Sequence, residues 1–344
     1  MAVVKLGSVA KECRQNWTGP MEGVPIVGLE HLTPEEITLS SWDHDIENTF
    51  SKKFEKGQVL LGRRRVYLKK AVIAPFDGIC SGDITVIEAI PGKIVPELLP
   101  FIIQNDKFFD YAMQGSAGSL SPRVKWEHLK DYEFDIPDIS AQHTLADKLW
   151  AAYHLKQSYQ SLIDATGEMV KSRFIEMFEG DKFKKVRLGD YTDLTWGDTN
   201  TTKNSYVPEG YLAFSAGGPD GKLDHYDYDQ EGIVLSAIGA DCGKTWFTTG
   251  KWSCIKNTIR FWSTSEELDN YFLFLATRDK EYWPRRGGAQ PFIPQTDARN
   301  CVIPLPSLAL QRQFISFANQ ADKSKFELKQ AIEKIDKVIQ ALMQ

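Results

Sequence analysis

Leu305-Pro306-Ser307-Leu308-Ala309-Leu310-Gln311-Arg312 opens a stretch that runs to residue 344 with no further proline and no glycine. Apolar residues follow at Phe314, Ala318, Ala321, Leu328, Ile332, Ile335, Ile339 and Leu342. Steps of four and three make this the seam of a coiled coil, with Lys325 as its polar position. The opening motif has a partner 169 positions earlier, Ile136-Pro137-Asp138-Ile139-Ser140-Ala141-Gln142-His143. In the same frame come Leu145, Leu149, Ala152, Lys156, Tyr159, Ile163, Thr166, Val170, Arg173 and Met177. Lys156 and Lys325 therefore occupy one heptad position. A polar seam residue either fixes register or reaches past the seam to solvent, and the sequence leaves both readings open. Residues 141–178 would span about 57 Å and 309–344 about 54 Å as helix. Two helices of matched length and seam most simply pack on each other as a rigid spacer. Gly180 and Asp181 mark the end of the first, and Gly167 is a weak point within it.

Working outward, three more segments recur in the same order. Val4-Lys5-Leu6-Gly7 returns as Val186-Arg187-Leu188-Gly189 at a separation of 182, and Gly57-Gln58-Val59-Leu60 as Gly232-Ile233-Val234-Leu235 at 175. Gly115-Ser116-Ala117-Gly118-Ser119-Leu120-Ser121-Pro122 returns as Gly287-Gly288-Ala289-Gln290-Pro291-Phe292-Ile293-Pro294 at 172. Four ordered matches with shrinking separation indicate a duplicated unit that has lost loop residues. The expected organisation is a globular unit at 1–140, a spacer helix at 141–180, a second unit at 181–308 and a second helix at 309–344. Each unit reads as mixed α/β. The strands are expected at Val59–Leu61, Ala71–Ala74, Thr85–Ile87, Ile233–Leu235 and Thr258–Trp262. Helices are expected from about Pro96 to Met113 and, from the capping-box spacing of Thr264-Ser265-Glu266-Glu267, to about Tyr282.

Composition narrows the function. With 344 residues, 42% hydrophobic and 25% charged, the chain is globular and long enough for two cores. No apolar run reaches the roughly 20 residues of a membrane helix, and no export signal is visible near Met1, so no membrane partner is expected. Five scattered cysteines without a CxxC pair fit a reducing cytoplasm rather than a disulfide or zinc framework. A net charge of −5 argues against coating nucleic acid by global charge, although local basic surfaces remain open.

Several enzyme-like patterns fail. Gly239-Ala240-Asp241-Cys242-Gly243-Lys244-Thr245 has three residues between its glycines where a phosphate-wrapping loop needs four. Asp227-Tyr228-Asp229-Gln230-Glu231-Gly232 begins like a calcium loop but reaches Ile238 where glutamate is needed. The histidines show no metal-ligand spacing, so no catalytic residue and no metal site is assigned. The positive signals are basic and aromatic. Arg63-Arg64-Arg65-Val66-Tyr67-Leu68-Lys69-Lys70 holds five cations and no acid. The candidate DNA-contacting residues are Arg63, Arg64, Arg65, Tyr67, Lys69, Ser116, Ser119, Arg123 and Lys125 in the first unit. In the second they are Lys244, Trp246, Arg285, Arg286, Gln290 and Gln295. Guanidinium, amide and hydroxyl groups can bind phosphates or read base edges.

Gly287-Gly288-Ala289-Gln290-Pro291, then Ile303-Pro304-Leu305-Pro306 through Arg312 and a long helix, resemble specificity subunits of type I restriction-modification systems. The resemblance spans nearly the whole chain and is poorer in the first unit, where Asp138 stands in place of Ser307. It implies two target-recognition domains held apart by two antiparallel coiled-coil helices, each domain reading half of a split sequence in double-stranded DNA, with helix length setting the gap. It implies a non-catalytic, cytoplasmic subunit that docks two adenine methyltransferase subunits and, in the full complex, two restriction-translocase subunits. S-adenosylmethionine, ATP and Mg would then belong to the partners, and this chain would bind none of them. A specificity subunit of a related type II enzyme and a coiled-coil scaffold without DNA binding stay open, as does a stand-alone nuclease or NTPase.

Overall fold

A computed structural model describes residues 2–116, 122–180 and 182–343. The chain divides into two compact units, Met1–Gln160 with Lys329–Gln344, and Ser161–Leu328. Each unit thus contains part of both long helices.

In the first unit β1 (Ala2–Lys5) leads through the single turn α1 (Leu6–Val9) into β2 (Ala10–Cys13). There follow β3 (Ile26–Val27), β4 (Lys52–Phe54), β5 (Val59–Gly62), β6 (Ala71–Ile73), β7 (Gly78–Cys80) and β8 (Ile84–Ala89). The helices α2 (Leu99–Ile103), α3 (Asp106–Gln114) and α4 (Trp126–Leu129) precede β9 (Glu133–Ile136) and the 40-residue α5 (Ile139–Phe178). The main sheet has the order β2-β8-β5-β6, β3-β7-β4 form a second sheet, and β1 pairs with β9. Alternation along β5 sends Val59 and Leu61 into the helix-backed core and Leu60 into the core on the other face. The helix expected over Pro96–Met113 is broken into a 3-10 turn, α2 and α3, because Asn105 caps α3 through a hydrogen bond to the Lys107 amide.

The second unit repeats this plan. The strand β10 (Lys185–Arg187), the turn α6 (Leu188–Tyr191) and β11 (Thr192–Trp196) come first. Next are β12 (Tyr211–Ser215), β13 (Gly218–Leu223), β14 (Tyr228–Asp229), β15 (Gly232–Ser236), β16 (Thr245–Thr248), β17 (Lys251–Cys254) and β18 (Thr258–Ser263). The helices α7 (Asn270–Thr277) and α8 (Gln295–Asn300) precede β19 (Val302–Pro304) and α9 (Leu308–Leu342). Its main sheet, β11-β18-β15-β16, matches the first strand for strand, and β10 pairs with β19. The second sheet, β13-β12-β17-β14, carries one strand more. The helix expected from Thr264 starts later, because Asp269 accepts from the Tyr271 and Phe272 amides and caps α7.

Strand registers correct two of the four separations. Val59 faces Ile87 as Ile233 faces Phe261, so these strands are related by 174 residues rather than 175. A slip of one would put core residues on the wrong face. The Arg65 amide donates to the Pro122 carbonyl as the Gly239 amide does to Pro291, so the third match runs at 169 rather than 172. The first and fourth separations stand: Leu6 donates to Tyr132 as Leu188 does to Cys301. Gly7 and Gly189 are both glycine because a Cβ there would lie about 3 Å from Lys130 and Arg299 respectively.

The long helices pair in opposite directions within each unit. In the first, Leu149 and Tyr153 of α5 join the core that Ile339, Leu342 and Met343 also cover. In the second, Phe174 and Phe178 of α5 lie 5.4 and 5.5 Å from Phe314 of α9, ring centre to ring centre. Of the seam positions, Leu149, Ile163 and Val170 are buried, while Leu145, Leu328, Ile332, Ile335 and Ile339 are half-buried. A glutamine fastens each helix start. Gln142 accepts from the Val95 amide and donates to the Pro137 carbonyl, while Gln311 accepts from Asp269 and donates to Pro306 and Glu267.

Candidate nucleic-acid interface

The loop after β5 and the segment before α4 are distant in sequence, yet backbone pairing joins them. Arg64 bridges to Arg123, and Val124 donates to the Arg63 carbonyl at 3.0 Å. The second unit has the same joint, with Ile238 bridged to Phe292 and Ile293 donating to Ala237 at 2.8 Å. One loop pair thus recurs in both units.

In the first unit the cations converge on an acid that sequence reading missed. Asp83 accepts two hydrogen bonds from Arg123, at 2.7 and 3.1 Å, with Arg63 and Arg64 each 3.8 Å away. Its hydrogen bond to Arg123 holds the Asp83 carboxyl below its usual value, with the charges of Arg63 and Arg64 adding to the effect. Three guanidinium groups on one carboxylate leave a net positive surface. The only sequence signal for Asp83 is a lone acid in the turn before β8. Arg65 and Tyr67 are exposed beside this cluster. Lys69 is tied to Asp106 at 2.6 Å and Glu35 at 3.6 Å. Lys125 is exposed at the start of α4. The Ser116 hydroxyl is buried with no hydrogen-bond partner among the described residues, and Ser119 lies outside them.

In the second unit each candidate cation has its own acid. Arg286 forms a two-pronged pair with Asp297 at 2.7 and 2.8 Å, Arg285 meets Glu281 at 2.5 Å and Lys244 meets Asp241 at 2.6 Å. Arg286 is nonetheless 62% exposed, and its backbone pairs with Phe292, which closes the loop that displays Gln290. Two candidates point elsewhere. The Gln295 amide donates to the Leu194 carbonyl at 3.0 Å, fastening α8 to β11. Trp246 is half-buried against the core of the second sheet, packed on Gly218. Both side chains thus make contacts within the unit, Gln295 through Leu194 and Trp246 through Gly218.

The duplicated registers allow position-by-position comparison. Arg63, Arg64 and Arg65 correspond to Ala237, Ile238 and Gly239, Lys69 to Gly243, Asp83 to Asn257 and Arg123 to Phe292. The core positions Val59, Leu60 and Leu61 correspond to Ile233, Val234 and Leu235. The two units therefore share a backbone and an apolar core but present different chemistry on the paired loops. Among the described residues no cluster of three or more His, Cys, Asp or Glu could hold a metal, and no helix is long and apolar enough to cross a membrane.

Residues 173–337 match the family model described as the type I restriction modification DNA specificity domain. A curated relative, the type I restriction enzyme EcoDI specificity subunit of Escherichia coli, is 24% identical over 190 residues, 54% of this chain and 38% of the relative. The chain thus spans well under half of that relative's length in the match. The type I restriction-modification S subunit from M. genitalium superimposes with a TM-score of 0.61 at 13% identity, over 99% of this chain and 94% of that one. A chain from a study of complex assembly and conformational transition of the type I R-M system gives 0.60 at 17% identity, over 99% and 96%. These likenesses establish the fold.

Proposed function

We propose, from the match of residues 173–337 to the type I restriction modification DNA specificity domain, that this chain is the non-catalytic subunit that recognises a two-part DNA site. In this reading residues 1–140 and 181–308 each read one half-site, and the α5–α9 pair sets the unread gap and docks two adenine methyltransferase subunits. Two restriction-translocase subunits complete the assembly. S-adenosylmethionine, ATP and Mg belong to the partners, and the complex works in the cytoplasm.

The observation that carries this reading is the shared loop joint with divergent side chains. A duplicated frame that keeps its core but changes Arg64 to Ile238 and Arg123 to Phe292 suits two different half-sites. Base edges differ in their donor and acceptor pattern, so different sequences need different side chains on the same scaffold. The chain's net charge of −5 is compatible, because partners that clasp the duplex supply further phosphate contacts.

The test is DNA retention by the chain assembled with its methyltransferase, titrated with salt. Sequence-dependent retention that falls linearly in a log–log plot against salt supports the reading. Equal retention of all sequences, or none, contradicts it, and DNA cleavage or nucleotide hydrolysis by the isolated chain would favour a stand-alone enzyme.

A further inference from the structure

The turn joining β5 to β6 has the same backbone as the turn joining β15 to β16. The Gly62 amide donates to Lys70 as Ser236 does to Lys244, and Leu68 donates to Arg65 as Cys242 does to Gly239. Both turns need left-handed backbone at the same two places. In the second unit glycine fills them, Gly239 at φ +106° and Gly243 at φ +98°. In the first unit Arg65 stands at φ +52° and Lys69 at φ +49°. Glycine adopts this region without steric strain, whereas a residue with a Cβ does not, so a side chain kept there requires a compensating role.

Lys69 has such a role within the chain, in its ion pairs with Asp106 and Glu35. Arg65 has none: it is exposed, and its side chain makes no hydrogen bond or ion pair with any described residue. A Cβ at its counterpart Gly239 would meet nothing within 4 Å, so the position faces open space. Its backbone is nonetheless fixed, by the Arg65 amide on Pro122 and by the Arg64–Arg123 bridge. The neighbouring Arg63, Arg64 and Arg123 are drawn to Asp83, so they supply a positive field but not an untied guanidinium fork.

From this we infer that Arg65 is a specificity-determining residue that reads one guanine in the half-site of the first unit, with no counterpart in the second. The inference rests on the DNA-recognition reading above. A fixed loop presenting a planar fork that is untied to any described residue suits two-pronged bonding to guanine O6 and N7, which lysine, as a point charge, does not reproduce.

The experiment assembles the full chain with its methyltransferase and maps methylated adenine on a library with both half-sites randomised. It compares the wild-type chain with Arg65→Gly, which matches the second unit's residue, and Arg65→Lys. The expected result is that both variants lose discrimination at one guanine of one half-site, by about tenfold or more, while the other half-site is unchanged. An unchanged motif, or uniform weakening at every sequence, overturns the inference. Failure of the wild-type chain to give any two-part motif instead overturns the underlying reading, so the two failures are distinguishable. Thermal unfolding of Arg65→Gly is expected at or above the wild-type midpoint, because glycine relieves the left-handed strain, and this separates lost reading from lost folding.

Discussion

Lys156 of α5 places its Nζ 2.7 Å from Oδ1 of Asp336 on α9, so this seam lysine bonds across the helix pair. Its counterpart Lys325 turns back to Asp322 on its own helix at 2.5 Å. The 169-residue relation explains the difference: the position matching Asp336 is Gly167, which offers no carboxylate. Of the two roles the sequence left open for these lysines, Lys156 takes the cross-helix one.

Gly167→Asp should therefore stabilise the chain. Beyond the backbone of its own helix, no described atom lies within 4 Å of a Cβ at Gly167, so the side chain has room. Relief of a helix-interior glycine and a new pair with Lys325 together should add about 0.5–1 kcal/mol. Denaturant unfolding checks this, and combining the change with Lys325→Met should remove the ion-pair part. An equal gain with and without Lys325 would show that no such pair forms.

Gln311→Leu should cost about 1–3 kcal/mol, because the Asp269 amide and the carbonyls of Pro306 and Glu267 lose their partner in a buried site. Gln142→Leu should cost less, since Gln142 serves two backbone groups rather than three. Equal midpoints for wild type and both variants would remove the glutamines as fasteners of the long helices.

The Asp83 cluster should give a pH signature. Arg123 lowers the folded pKa of Asp83, so its contribution is present above the ordinary aspartate pKa and is lost as pH falls through the lower folded value. Asp83→Asn should accordingly be less stable than wild type at neutral pH, with the gap closing below about pH 4. Thermal unfolding across that range checks it. A gap independent of pH would mean that the carboxylate charge is not what holds the cluster.

Arg286→Ala should weaken specific binding by about 1–3 kcal/mol and relax one position of the second half-site. The outcome to look for in competition binding is selectivity at that position alone. Uniform weakening across sequences would make Arg286 a phosphate contact.

The sequence made the duplication, the long helices and most strands of the main sheets legible, because periodicity and repeated segments carry those directly. It placed Arg63, Arg64, Arg65 and Arg123 as basic residues but could not show that backbone bridges bring them together around Asp83. Gln142 and Gln311 stood in the repeated motif, yet their role depends on amides from Val95 and Asp269, which only folding brings near. Gln295 looked like a reading residue by type, whereas its amide donates to the Leu194 carbonyl, a contact that only folding creates. Glycine-based matching set the β5 and β15 registers one residue off, since a glycine can precede a strand at more than one offset. The extra strand β13, rich in glycine and proline, carried no strand signal.

The most direct test of the central claim is genome-wide mapping of methylated adenine in a methylation-free host that expresses this chain with its neighbouring methyltransferase, against a control lacking the chain. The account predicts a new two-part motif with a fixed unread gap, present only with the chain. No motif, or one continuous motif that persists without the chain, would contradict it.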